Sequence, residues 1–169
     1  MSRTVLILGT DHGFQRRDQK FTESQHKQFA NYVVNTARDH CVAGLAEEYS
    51  LENLAEDEIM ETTIQTIARE LGLKHRFCDP DMKTRAQLGI RQENQIRVSE
   101  FPNQLTEVEV QRRLEESLRA RERYWLSELL VFNTWPALFI CGADHSLPFL
   151  NLLRTNNHDA VLIARDWGT

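Results

Sequence analysis

The sequence is poor in cysteine, has no long apolar run and carries no excess of positive charge, and each shortage narrows what the chain can be. Its three cysteines, Cys41, Cys78 and Cys141, are widely spaced and form no C-x-x-C pair, so a disulfide framework, a zinc knuckle and a redox motif are all unexpected. Each lies in or beside an apolar segment. That predicts small buried hydrophobes rather than reactive thiols, Cys141 before Gly142 included. The longest apolar runs, Val5 to Leu8 and Ala137 to Cys141, fall far short of the about 18 residues that a bilayer requires, and no membrane partner is expected. With 20 Lys and Arg against 25 Asp and Glu, a net charge of -5, the chain offers no general attraction to nucleic acid. Met1-Ser2-Arg3-Thr4 leads straight into a strand-like run with no signal-peptide pattern, so a cytoplasmic location is expected. Also missing are G-x-G-x-x-G, a Walker loop, a G-x-S-x-G elbow and H-E-x-x-H. With no serine elbow to supply a nucleophile, water is the expected one.

What the 169 residues do hold is a globular balance, 41% hydrophobic and 27% charged, in a length that suits one core. One domain over residues 1–169 is expected. Val5 to Leu8 is a continuous apolar run closed by Gly9-Thr10-Asp11-His12-Gly13, the pattern of a strand buried on both faces. Thr22 and Gln25 have capping-box spacing, and Phe29, Val33 and Ala37 follow at four-residue intervals, which predicts a helix to Asp39. Val42 to Ala46 reads as the next parallel strand, Asp57 to Leu71 as a helix closed by Gly72, and Lys74 to Cys78 as a third strand. Residues 82–103 lose the periodicity, and a long excursion there is a candidate lid with room for a short helix. Thr106 and Glu109 open the longest helix, carried to Val131, with Val110, Leu114, Leu118, Trp125 and Leu129 as its buried stripe. After Trp135-Pro136 comes a second two-sided strand, Ala137 to Cys141, ending in Gly142-Ala143-Asp144-His145. Ser146 to Leu153 then reads as a short helix with Pro148 in its first turn, and Ala160 to Ala164 as a last strand. Strands alternating with helices predict an α/β fold, a mainly parallel sheet with helices on both faces.

In open parallel sheets ligands bind at the carboxyl ends of the strands, where loops converge at a reversal of strand order. With the strands as read, Asp11 and His12, Glu47 and Glu48, Asp79 and Asp81, and Asp144 and His145 all fall just past strand ends. A lone Asp there is ordinarily a turn residue or a helix cap. The same Gly-x-Asp-His ending on both of the most buried strands, with Gly9 and Gly142 as its glycines, is what singles out the pair. Arg121 falls between Val110 and Leu114 around a helix that turns about 100° per residue, so its guanidinium is expected to point inward. A buried arginine needs an anion, and Glu47, Glu48 or a substrate carboxylate or phosphate would serve; a snorkelling side chain is the alternative. Histidine activates water either as a neutral base oriented by a carboxylate or as a ligand of a divalent metal. Both routes stay open for His12 and His145.

A G-x-x-H turn after the first strand, an acidic strand end, an arginine-led motif on a long helix and a second G-x-x-H after a late strand form a series. In that series the chain resembles the superfamily of erythromycin esterases, Tiki peptidases, TraB/PrgY proteins and ChaN-like proteins. The motifs are Gly9-Thr10-Asp11-His12, Glu47-Glu48, Arg121-Glu122-Arg123-Tyr124-Trp125 and Phe139-Ile140-Cys141-Gly142-Ala143-Asp144-His145. The resemblance implies an α/β fold and, in several branches, hydrolysis of an ester or peptide bond, with His12, Glu47 or Glu48, Arg121 and His145 in the site. It leaves the cofactor open, since Tiki-like members are associated with a divalent metal and the erythromycin esterase branch with histidine as a base. The chain is shorter than the usual members.

The leading expectation is a small soluble hydrolase acting on an ester, amide or related bond of a small-molecule or peptide-like substrate. His12 and His145 would activate water, directly or through a metal they share, with Glu47 or Glu48 orienting and Arg121 holding the carboxylate or the substrate anion. Asp11, Asp144, Asp79 and Asp81 would stand behind these groups or touch the substrate. Two rivals belong to other classes: a non-catalytic module binding a nucleotide or other anionic small molecule, and an interaction protein forming a homodimer through the 106–131 helix.

Overall fold

The computed structural model describes residues 3–99 and 105–168. Five strands form one sheet: β1 Thr4–Thr10, β2 Gly44–Glu47, β3 Lys74–Phe77, β4 Ala137–Gly142 and β5 Asp159–Trp167, in the spatial order β3-β2-β4-β1-β5. Every pairing is parallel. The helices of the described residues are α1 Gly13–Arg16, α2 Glu23–Asp39, α3 Leu51–Glu56, α4 Thr63–Leu71, α5 Met82–Leu88, α6 Glu93–Val98, α7 Glu107–Phe132 and α8 Ala143–Thr155. None of them is long and apolar enough to cross a membrane.

Alternation along the central strands divides the core in two. Val5, Ile7, Phe139 and Cys141 face α7 and α8 through Trp125, Leu129, Phe149 and Leu153. Leu6, Leu8, Leu138 and Ile140 face α2 and α4 through Phe29, Val33, Ile64 and Ile67. Helices therefore cover both faces, and β1 and β4 are continuous apolar runs because neither has a wet side. From β1 the chain steps past β4's place to β2 and β3, then returns so that β4 lies between β1 and β2. Strand order reverses there, the position beyond whose carboxyl ends open parallel sheets bind ligands.

Several boundaries differ from the sequence reading, each for a local reason. The helix expected over 57–71 begins only at Thr63 as α4, because Thr62 and Gln65 form its capping box and Glu58 takes a positive φ of 54° before it; α3, over Leu51–Glu56, lies ahead of the expected range. Met60, read as part of the apolar stripe, is 95% exposed. Residues 82–99 hold α5 and α6, while 100–103 lie outside the described residues. Cys41, expected in the core, is exposed in the left-handed turn that follows α2, whereas Cys78 and Cys141 are buried. Leu114 and Leu118 are only half-buried because they line a cavity. No loop separates β4 from α8: the strand ends at Gly142 and the helix begins at Ala143, which puts Pro148 in the second turn. The last strand continues past Ala164 to Trp167, whose ring packs on Phe14, Phe29 and Tyr32.

Candidate active site

The carboxyl edge of the sheet collects side chains from four strands and one helix. His12 directly precedes α1 beyond β1, Glu47 ends β2 with Glu48 next, Asp79 follows β3, and His145 stands in the first turn of α8 beyond β4. The long helix α7 adds Arg121 and Glu122.

Two imidazoles meet over one carboxylate oxygen. Nε2 of His12 lies 3.6 Å and Nε2 of His145 3.8 Å from Oε1 of Glu48, beyond hydrogen-bond length. Arg121 Nη1 is 2.9 Å from the same oxygen, yet no donor is aligned with it, and Oε1 stays buried without a hydrogen bond. The other oxygen, Oε2, accepts from the backbone N of Gly142 at 2.7 Å, at the start of α8 where the helix dipole favours negative charge. A β-carbon at Gly142 would sit 2.9 Å from His12 Nε2, so glycine lets the ring close onto the strand end. Gly9 answers a different need, since a β-carbon there would meet the carbonyl oxygen of Arg165 at 1.9 Å where β5 passes.

Each ring is held from behind. His145 Nδ1 is 2.9 Å from Oε1 of Glu122, a fully buried carboxylate whose Oε2 accepts from Arg119 Nη1 at 2.5 Å. Trp125 packs against the same ring in a T-shaped contact, with centroids 4.8 Å apart. His12 Nδ1 is 2.8 Å from Oε1 of Gln15, and Gln15 Nε2 donates to Oε2 of Glu47 at 2.8 Å. Oε1 of Glu47 accepts from Thr62 Oγ1 at 2.5 Å and faces His75 Nε2 at 2.8 Å. Glu122 and Gln15 join the site in the structure without standing among the residues expected there. The signal for Glu122 was present: it lies four residues after Leu118 and three before Trp125 on the apolar stripe of α7.

Arg121 points inward, as its helix position predicts, and its first partner is Asp79. Nε donates to Oδ1 at 2.6 Å and Nη2 to Oδ2 at 2.8 Å, while Trp125 Nε1 donates to Oδ1 at 3.0 Å and Arg85 Nη2 to Oδ2. Burial pushes the Asp79 carboxyl up, but the bonds from Arg121 and the charges of Arg121 and Arg85 outweigh it and hold it below its ordinary value. Burial likewise opposes the Arg121 charge, and Glu48 and Asp79 more than offset it.

The remaining predicted residues stand elsewhere. Asp11 accepts from Gly13 N at 2.7 Å and pairs with Lys20 Nζ at 2.8 Å. Asp81 caps α5 by accepting from Thr84 N at 2.8 Å, and Asp144 is exposed in the first turn of α8. Among the described residues none of the three makes a hydrogen bond or ion pair with His12 or His145. Burial pushes the Cys141 thiol well up, helped by Glu48 and Glu122, so it offers no thiolate. No three or more His, Cys, Asp and Glu side chains among the described residues are disposed to hold a metal ion, and the positive charge beside Glu48 Oε1 is that of Arg121. A cavity of ≈ 690 Å³ borders the centre without containing the histidines; Arg121 and Arg85 line it together with an apolar wall of Pro80, Ile90, Leu114 and Leu118. No family model, curated protein or solved structure matches the chain.

Proposed function

We propose that the chain is a hydrolase in which His145 and His12 activate a water molecule for attack on an ester, amide or related bond. The observation that carries this reading is the convergence of both Nε2 atoms on the unsatisfied oxygen of Glu48, at 3.6 and 3.8 Å. Neither nitrogen donates to that oxygen, and a water molecule held beside them would give one hydrogen to each nitrogen while Arg121 supplies the charge at Glu48. In this arrangement His145 takes the proton from water. Glu122 behind its Nδ1 holds the ring and, with Glu48 in front, stabilises the imidazolium that forms, the task of the carboxylate in a catalytic triad. His12 Nε2 accepts the second hydrogen and so aims the oxygen at the substrate. The imidazolium of His145 then returns its proton to the leaving group.

The cavity that shares Arg121 with the centre would take the body of a substrate, with its apolar wall receiving an apolar portion. The motif resemblance to the erythromycin esterase and Tiki superfamily supports the same reaction class. Binding of an anion without turnover is favoured less, because Arg85 and Arg121 already pair with Asp79 and Glu48. A panel of chromogenic esters and amides tests the proposal. On any substrate turned over, His145→Ala should be slower by about 10²–10⁴-fold, and undiminished turnover by that variant overturns it.

A further inference from the structure

We infer that Gln15 is a relay that locks His12 in one tautomer, with hydrogen on Nδ1 and a bare Nε2 facing Glu48. The catalytic consequence rests on the hydrolytic reading, whereas the lock itself does not. The argument starts at Glu47, which is fully buried and surrounded by donors. Thr62 Oγ1 donates to its Oε1 at 2.5 Å, since the Thr62 oxygen already accepts from Gln65 N at 3.0 Å, and His75 Nε2 faces the same atom at 2.8 Å. Gln15 meets the other oxygen at 2.8 Å.

A carboxylate can only accept, so Gln15 must turn its NH₂ group toward Glu47. Its carbonyl Oε1 then faces the opposite way and meets His12 Nδ1 at 2.8 Å. A carbonyl also only accepts, so Nδ1 carries the hydrogen, and in the neutral ring Nε2 carries none. Gln15 is itself fully buried, which leaves no water to satisfy either end in another orientation. Gln15, Glu47, Thr62 and His75 are thus positioning residues: they touch no reacting atom, and they fix which nitrogen of His12 can accept a hydrogen from water.

Long-range ¹H–¹⁵N correlation spectra of the labelled full chain read the tautomer directly, at a pH where the ring is neutral and without any substrate. In the wild type the His12 Nδ1 is expected to resonate as a protonated ring nitrogen and Nε2 as a bare one. Gln15→Leu should draw the two shifts toward a common average, with the His145 shifts unmoved as a check on the fold. The double variant Gln15→Glu/Glu47→Gln exchanges amide and carboxylate while keeping every donor facing an acceptor, and it should restore the split. Turnover should follow the spectra, with kcat down about 10-fold or more in Gln15→Leu, KM held, and recovery in the double variant. A wild-type ring protonated on Nε2, or a split that persists in Gln15→Leu, overturns the relay. If Gln15→Leu does not fold, the wild-type spectrum decides alone. A locked tautomer in a protein whose His145→Ala variant turns over undiminished leaves the relay standing and overturns the hydrolytic reading instead.

Discussion

A buried carboxylate oxygen without a hydrogen bond carries a desolvation cost, and at Glu48 that cost is met by charge, with Arg121 2.9 Å away. The same oxygen sets the roles of its neighbours. Glu122→Gln keeps an acceptor behind His145 but removes the negative charge that stabilises its imidazolium, so kcat should fall by about 10²-fold or more with KM little changed in steady-state assays. Gly142→Ala is a sharper probe. Its methyl would press on the tip of a ring that is 40% exposed and can yield toward solvent at the expense of its Gln15 contact, so urea unfolding should show a loss of only about 1 kcal/mol while turnover collapses. Legibility in the sequence varied at this scale. His12, His145 and Arg121 were readable because a strand end or a helical wheel fixes their direction. Asp79 and Asp81 flank the same proline and look alike, yet one is gripped by Arg121 and the other caps α5. Gln15 lies in a one-turn helix too short for any periodicity to mark.

The elements place these groups because α7 packs on one face of the sheet and carries charged residues to its carboxyl edge in an otherwise apolar stripe, and because α4 begins where its cap can reach Glu47. Thr62 does two things: it accepts from Gln65 N to start α4, and its hydroxyl donates to Glu47 at 2.5 Å. Thr62→Ala should therefore cost more than an ordinary cap, about 2–3 kcal/mol by urea unfolding, and a loss under 1 kcal/mol, the size of a cap alone, would contradict that double role. The central strands were legible because burial on both faces writes itself as an unbroken apolar run. The late start of α4 was not, since Ile59 and Met60 imitate a helical stripe while Glu58 turns left-handed and Thr62 restarts the helix. The two Gly-x-Asp-His segments also differ in structure: His12 ends a turn, whereas His145 is already helical, with its ring fixed by α7.

Across the whole molecule, acid stability is tied to the same site. Asp79 titrates below its ordinary value of 3.8 in the folded chain, so its contribution is complete above that value and is lost as pH falls through the lower, folded one. The gap in stability between wild type and Asp79→Asn should be constant near neutral pH and shrink as pH drops below the ordinary carboxyl range. A gap independent of pH down to the acid transition would show that Asp79 gains nothing from Arg121 and Arg85. The organisation of the sheet, with strand order reversing beside β4, is what lets one helix and four strand ends serve one centre. The central claim is that His12 and His145 act together on one water. Comparing kcat/KM of wild type, His12→Ala, His145→Ala and the double variant on one hydrolysed substrate tests it most directly. Groups acting as a unit predict that each single change costs about 10²-fold or more and that the double costs little beyond the worse single. A single variant with wild-type kcat/KM, or losses that simply multiply, would contradict it.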